Sequence, residues 1–398
     1  DNDVLYGEAG NDTIINNGPN STMIGGQGDD YIQSAVWSDT YIFNLGDGND
    51  TILDNNGTDT LKFGEGITAE NTIFSTEGTH IKITFKNSDD SILLSDAANS
   101  ADRRIETFEF SDGTILTKEE MLQNLTNYGT SANDTMTGSI ISEKIYGYDG
   151  DDSIKTAEGN DTAYGGAGND YIENSNGNDV LYGEAGNDTI INNGQDSTII
   201  GGLGNDSIQG GLYDDVYVFN LGDGNDTIFE RRGGSDTLQF GEGITLDNIV
   251  FTGVKNGNDN DFLITFKDSD DSILIKHGAN TGDNEIDKFI FSDGTELTSA
   301  EAKNLAVIYG TAGDDSLTGS VLSEKIYGLA GDDSIMSSGY DYLDGGSGND
   351  SIINTGSNAT IIGGQGDDYI QSAVWSDTYI FNLGDGNDTI LDNNGTDT

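Results

Sequence analysis

Cysteine is absent from this 398-residue chain, and proline occurs once, at Pro19. Without cysteine there is no disulfide framework, no zinc–thiolate centre and no thiol nucleophile. Positive charge is also scarce: 16 Lys and Arg stand against 71 Asp and Glu, a net charge of −55. A phosphate-binding face needs clustered Lys and Arg, so nucleic acid is not an expected partner. Apolar residues make up only 33%, and no run of them approaches the roughly 18 residues of a membrane-spanning helix. No membrane span is expected. A chain this repulsive and this poor in apolar residues is ordinarily disordered. Something must neutralise it.

What the chain has in abundance is glycine, 57 residues, and repetition. Ile24 to Thr60 recur unchanged as Ile362 to Thr398. Between them a diverged copy aligns Tyr41-Ile-Phe-Asn-Leu-Gly-Asp-Gly-Asn-Asp50 with Tyr217-Val-Phe-Asn-Leu-Gly-Asp-Gly-Asn-Asp226. The repeating super-unit is thus 338 residues, built from two unequal modules. No signal peptide or initiator Met stands at the start, and the chain stops inside a repeat at Asp397-Thr398. Both ends read as cut from something longer.

Within each module the period is nine. Gly129 to Val218 divide into ten consecutive nonapeptides, such as Gly147-Tyr-Asp-Gly-Asp-Asp-Ser-Ile-Lys155 and Gly201-Gly-Leu-Gly-Asn-Asp-Ser-Ile-Gln209. Glycine falls at positions 1 and 4, Asp at 6 and an apolar residue at 8. One unit of the third block, Ser337–Asp344, is a residue short. The middle block has ten units and the third eight, so the removable quantum is a pair. Each unit offers a glycine turn and then a short strand with one inward apolar side chain. Two units make an 18-residue coil, and stacked coils bury a thin column that includes Ile14, Ile32, Ile154, Ile172, Ile190 and Ile208. Such a column is too slender to hold so much charge together unaided.

Gly-Gly-x-Gly-x-Asp-x-U-x in this register resembles the nonapeptide of the RTX (repeats-in-toxin, haemolysin-type) family, a signature of calcium-binding β-helix repeats. The resemblance implies an all-β fold of parallel β-roll blocks, with Ca²⁺ between successive turns held by position-6 carboxylates and turn carbonyls. It assigns that role to Asp12, Asp30, Asp50, Asp134, Asp152, Asp170, Asp188, Asp206, Asp226, Asp315, Asp333, Asp350, Asp368 and Asp388, with Asp161 and Asp179 from the intervening units. Gly147, Gly165, Gly183, Gly201, Gly345 and Gly363 supply the turns. Position 6 is Glu143, Ser197, Ser21, Ala359 or Glu324 in other intervening units. One edge therefore reads as a continuous calcium row and the other as patchy.

Two segments break the period. The division expected is roll 1–62, insert 63–128, roll 129–239, insert 240–309 and roll 310–398. The inserts show alternating strands, His80-Ile-Lys-Ile-Thr-Phe-Lys86 and Asp261-Phe-Leu-Ile-Thr-Phe-Lys267. Each ends in a short helix opened by a capping-box pattern, Thr117-x-x-Glu120 or Thr298-x-x-Glu301. They resemble the haemolysin-type calcium-binding-related domain and are expected as small β-rich bodies packed on the roll ends. Trp37, Trp375, Tyr41, Tyr217 and Tyr379 are expected to cap the roll.

No catalytic constellation emerges, and the chain is expected not to be an enzyme. His80 and His277 do not recur at equivalent places, and the paired carboxylates repeat every coil instead of forming one unique pair. Arg103-Arg104 and Arg231-Arg232 read as members of local ion pairs. The leading functional expectation is a structural stretch of an extracellular, type I-secreted bacterial protein, as adhesin stalk, surface layer or filament. Its partners would be calcium and neighbouring copies or cell-surface components. The alternatives are the calcium-folding carrier region of a toxin or secreted hydrolase, and a glycan-binding module.

Overall fold

The computed structural model describes residues 2–231, 233–256, 259–279, 285–373, 375–392 and 397–398. Arg232 of the second arginine pair lies outside them. The chain divides into two compact units, Asp1–Tyr182 and Gly183–Thr398, each holding one whole insert with roll on either side.

In the first unit the nonapeptides form strands that alternate between two parallel sheets. Val4–Ala9, Thr22–Gln27, Thr40–Phe43 and Thr60–Phe63 stack in one sheet, and Thr13–Ile15, Tyr31–Gln33 and Asn49–Leu53 in the other. The register sets Ile14 beside Ile32 and Ile32 beside Ile52, while Met23 meets Tyr41 and Tyr41 meets Leu61. Period-2 alternation turns these residues inward and leaves their neighbours half exposed. After the insert the roll resumes with Thr126–Tyr128, Lys144–Asp149 and Thr162–Ala167 opposite Thr135–Thr137, Ser153–Ala157 and Tyr171–Asn174. Ile145, Ile154, Ala163 and Ile172 are fully buried in its column.

The insert is not a separate body lying against the roll. Its strand Ser88–Leu94 joins Asn49–Leu53 in parallel, and Thr107–Glu109 joins Thr60–Phe63 in parallel. Only then does direction reverse, through antiparallel His80–Phe85, Thr72–Glu77 and Ile115–Thr117. The insert therefore continues both sheets, which satisfies backbone groups that a roll edge would otherwise leave unpaired. Aromatic rings replace the isoleucine column here: Phe43 stacks on Phe85 at 5.5 Å and Phe63 on Phe110 at 4.8 Å between centroids. Thr117 Oγ1 accepts from Glu120 N at 3.2 Å and Glu120 Oε2 from Thr117 N at 2.8 Å, opening helix Lys118–Gln123 as the pattern predicted.

The second unit repeats the plan. Val216–Phe219, Thr237–Phe240 and Lys288–Ile290 run parallel, as do Ser207–Gln209, Asn225–Phe229 and Ser272–Lys276, before antiparallel Asp259–Phe266 and Ile249–Asn256. In its last roll Ile335 pairs with Ile352 and Ile352 with Ile370. The single-residue deletion is thus absorbed in a turn, and no strand slips to the wrong face.

The aromatic expectation needs correction. Tyr41 and Tyr217 are 1% exposed and belong to the column, whereas Trp37 and Trp375 are 51% and 57% exposed and cap nothing. The tyrosines occupy position 8; the tryptophans lie in the loop before it, where side chains point outward.

Because the column is one residue wide, a cavity in it cannot be filled from a second layer. Ile172→Ala should cost about 2–5 kcal/mol, read as a lowered denaturant midpoint of the calcium-loaded chain. Ile15→Ala, at an exposed site, should change it by less than about 0.5 kcal/mol. Equal shifts would refute the one-column core.

Candidate metal-binding turns

Each position-6 aspartate on the first edge is turned inward, and its two oxygens have different fates. Oδ1 accepts the backbone N–H of the position-6 aspartate one coil earlier: Asp12 N to Asp30 at 2.7 Å, Asp134 N to Asp152 at 2.7 Å, and Asp152 N to Asp170 at 2.8 Å. In the second unit Asp188 N donates to Asp206 at 2.8 Å and Asp206 N to Asp226 at 3.0 Å. The chain Asp315, Asp333, Asp350, Asp368, Asp388 follows the same rule at 2.8–3.0 Å, and Asp30 N reaches Asp50 at 3.0 Å. Within each unit the structure thus brings first-edge aspartates assigned from the sequence into ladders.

Oδ2 is the atom that matters for a ligand. In Asp12, Asp30, Asp152, Asp206, Asp333, Asp350 and Asp368 it is buried and has no hydrogen-bond donor. An ionised oxygen sealed from water without a donor costs several kcal/mol unless a cation meets it. Asp134 and Asp315 differ, because their Oδ2 accepts from N and Oγ1 of Thr130 and Thr311 in their own turns. These two open their rows and are already satisfied.

The glycines divide into two classes. At position 1 the need is space: a Cβ on Gly147, Gly183, Gly201, Gly345 or Gly363 would strike Oδ2 of Asp152, Asp188, Asp206, Asp350 or Asp368. The carbonyl of Gly165 lies against Gly147 in the same way. Positions 2 and 4 need left-handed dihedrals, as at Gly26 (φ 102°) and Gly28 (φ 132°). Position 2 keeps them even when it is not glycine: Glu8, Tyr148, Glu184 and Leu329 have φ of 75–79°. That conformation directs turn carbonyls toward the glycines of the next coil. Carboxylate and carbonyl oxygens converge, and this hard donor set suits Ca²⁺.

Position 5 forms a ladder the sequence reading missed. Asn11 Oδ1 accepts from Asp29 N at 3.1 Å, and Asp29 Oδ1 from Asn49 N at 2.9 Å. Asn133, Asp151 and Asn169 repeat it, as do Asn187, Asn205 and Asn225. The signal was present: position 5 is nearly always Asn or Asp. It locks coil to coil from the exposed side of the turn.

The other edge satisfies itself more often. Glu143 and Glu324 curl back to accept from Ser139 and Ser320 of their own turns. Asp179 Oδ2 accepts from Thr156 Oγ1 at 2.8 Å, and Asp161 Oδ1 from Glu143 N at 2.9 Å. Asp161 Oδ2, by contrast, is buried without a donor. Neither histidine faces a turn site. His80 Nδ1 accepts from Asp96 N at 2.9 Å, and at the equivalent place Asp261 Oδ1 accepts from His277 N at 2.9 Å. Arg103 pairs with Asp96 at 2.8 Å. Arg104 spends its donors on the carbonyls of Ala97 and Ala98.

Family models agree with this geometry. The RTX calcium-binding nonapeptide repeat matches residues 1–18, 42–67, 146–181, 175–199, 307–335 and 353–372. The haemolysin-type calcium binding protein related domain matches 80–120 and 261–301. The chain is an RTX repeat protein. A curated relative of this RTX chain, the iron-regulated protein FrpA of Neisseria meningitidis serogroup C, is 33% identical over 118 residues, covering 27% of the chain and 10% of that protein. The chain therefore spans about a tenth of FrpA. Among solved structures, the extracellular lipase LipA of Serratia marcescens matches at 16% identity and a TM-score of 0.21, covering 64% of this chain and 36% of the lipase.

Burial sets the electrostatics of the RTX turns. Desolvation pushes Asp50 up to about 7, Asp161 to about 8, Asp206 to about 6 and Asp226 to about 8, against backbone hydrogen bonds that pull each down. Neighbouring aspartates add to the rise at Asp50, Asp161 and Asp226. Carboxylates raised in the folded state stabilise it below their ordinary range, near pH 4, and lose that contribution as pH climbs through about 6–8. In excess chelator, acidification from pH 8 to pH 5 should therefore increase the β signal in circular dichroism. A signal that falls or stays flat over that window would contradict this charge balance.

Proposed function

We propose that this chain is the calcium-folded structural region of a secreted bacterial surface protein, a stalk, filament or lattice element without catalytic activity of its own. The observation that carries the reading is the coil-to-coil ladder of buried aspartates whose Oδ2 atoms lack donors, in a chain that repeats 37 residues unchanged at a spacing of 338. Repeated super-units suit a spacer, because each adds the same element. The residues that would hold Ca²⁺ are Asp12, Asp30, Asp152, Asp170, Asp188, Asp206, Asp333, Asp350 and Asp368, with turn carbonyls completing the oxygen set. Bound there, the cation supplies charge neutralisation between coils. The chain's part is to present one oxygen, fix the other on the next backbone and keep water out. Folding on calcium suits export as an unfolded chain into a calcium-rich exterior.

In millimolar calcium the far-UV circular dichroism should be that of a β protein, and excess chelator should abolish it. Asp206→Asn should raise the calcium midpoint severalfold, while Ser197→Ala should leave it nearly unchanged. Tandem chains of one, two and three super-units should lengthen in small-angle scattering by a constant increment. A β spectrum that persists in chelator at pH 8, or dimensions that ignore super-unit number, would overturn the reading.

A further inference from the structure

In the first unit, the roll that follows the insert carries a surface feature that neither the turn row nor the insert explains. Thr126–Tyr128, Lys144–Asp149, Thr162–Ala167 and the strand carrying Tyr182 lie side by side in one sheet. Asn127, Ile145, Ala163 and Leu181 are buried in the core, so strand alternation turns their neighbours outward. Two outward rows result. One is Thr126, Lys144, Thr162 and Val180; the other is Tyr128, Tyr146, Tyr164 and Tyr182.

The second row is a ladder of rings. Successive centroids from Tyr128 to Tyr182 are 5.7, 4.6 and 4.7 Å apart, with planes inclined by 17°, 2° and 4°. Tyr148 joins it, 6.1 Å from Tyr128 and inclined by 9°. In a chain with 71 Asp and Glu, neither row contains an acid.

The ladder begins at a hollow. Tyr128 is 50% exposed and, with Thr126, lines a cavity of about 420 Å³ at the seam between insert and roll, shared with Phe74, Leu116 and Asn124. Tyr146 and Tyr148 both come from the following strand, so one face of Tyr128 is left to this hollow. A second cavity, of about 480 Å³, is lined by Lys144 and Thr162 of the neighbouring row together with Leu122, Ile140 and Asn160. Both have the size and mixed lining of ligand sites. Cross-strand ring pairs stabilise a sheet by themselves, but that role calls neither for a hollow at the head of the ladder nor for an acid-free row beside it.

The pattern returns, shortened, in the second unit. Tyr309 and Tyr327 stack at 5.3 Å and 15°, with Lys325 on the strand of the second ring. The next strand sets Asp344 opposite Tyr327, where the first unit has Tyr164 opposite Tyr146. Tyr342 meets Tyr327 only at a tilt of 49°.

We propose that the tyrosine ladder of the first unit binds a neutral, ribbon-like glycan, with one pyranose seated in the seam hollow against Tyr128 and the next ones laid along Tyr146, Tyr164 and Tyr182. The inference is independent of the stalk reading and requires only that the roll be folded. A pyranose has C–H groups on its faces and hydroxyls around its rim. The seated sugar sets its C–H groups on the electron-rich face of Tyr128, with Thr126 and Asn124 as hydrogen-bond partners. Along the ladder the rings face one another, so later sugars meet electropositive ring edges with their oxygens. Charge selects against other occupants: a chain of net charge −55 repels nucleic acid, acidic sugars, anionic lipid and a second copy of itself. A straight row of near-parallel rings fits an extended β-linked chain better than a coiled α-linked one.

The test titrates the full chain, in millimolar calcium, with cellohexaose, chitohexaose and maltohexaose by calorimetry. Cellohexaose or chitohexaose should bind with a Kd below about 1 mM and more tightly than maltohexaose. Tyr128→Ala, at an exposed position that leaves the core intact, should weaken binding about tenfold. Tyr146→Phe/Tyr164→Phe, which keeps every ring, should weaken it less, and neither variant should move the calcium midpoint of folding. Failure of both β-linked sugars to bind, a preference for maltohexaose, or binding that ignores Tyr128→Ala would overturn the proposal while leaving the calcium turns standing. In sedimentation velocity, self-association of the wild type that Tyr128→Ala abolishes would give the ladder to a second copy and overturn it as well.

Discussion

The constraint on which the structure depends is an inward carboxylate with one oxygen tied to the next coil's backbone and the other facing no donor. The tie is kept whether the coil closes in 18 residues, as from Asp12 to Asp30, in 17, as from Asp333 to Asp350, or in 20, as from Asp30 to Asp50. The free oxygen sets the glycine at position 1, since any side chain there would fill its place. The left-handed backbone at position 2 follows from the same demand and persists at Glu8 and Tyr148, where a side chain makes it costly. An apolar column one residue wide is enough only because the turns carry the rest of the cohesion.

The two edges solve one problem by different chemistry. On the first, repeated turns leave oxygens for a cation. On the second, Glu143, Glu324, Thr156 and Asn192 lend protein donors or acceptors, so the coil closes with less charge to neutralise. The inserts solve a third problem, the open end of a solenoid. A stack of coils always ends in an unpaired edge; here the roll's own strands hand over to antiparallel partners and a phenylalanine cluster. The backbone ladder continues while the row of position-6 aspartates stops.

Much of this was legible in the sequence, and for a physical reason. Period nine, the paired quantum, the position-8 column and the capping boxes at Thr117 and Thr298 are local patterns, and local geometry is what a repeat encodes. What escaped reading depends on contacts between coils. The Asn11–Asp29–Asn49 ladder was hidden because Asn and Asp in a turn have a local explanation already. The continuity of the inserts was hidden because Ser88–Leu94 looks the same whether it pairs with its hairpin partner or with Asn49–Leu53. Trp37 looked like a cap because it stands close to Tyr41, where Phe43-Asn44 inserts two residues into the period, yet it is half exposed to solvent.

These contacts have a consequence for how such a chain can grow. In a solenoid, stability is roughly a sum of intrinsic coil terms and nearest-neighbour terms. At neutral pH without a cation, each added coil buries another carboxylate beside the last, and the neighbour term opposes stacking; Asp226 is pushed up by burial and by Asp206, Asp223 and Asp271. A cation shared between coils reverses the sign of that term without altering the backbone ladder. On the calcium-folding reading proposed above, the same sequence would favour an extended chain in one medium and a stack in the other, and the number of coils would sharpen the change without moving its sign. Under that proposal an array of like super-units would exploit this, because interfaces built from the same residues, as in the stretch Ile24–Thr60 that recurs as Ile362–Thr398, would switch at the same cation concentration.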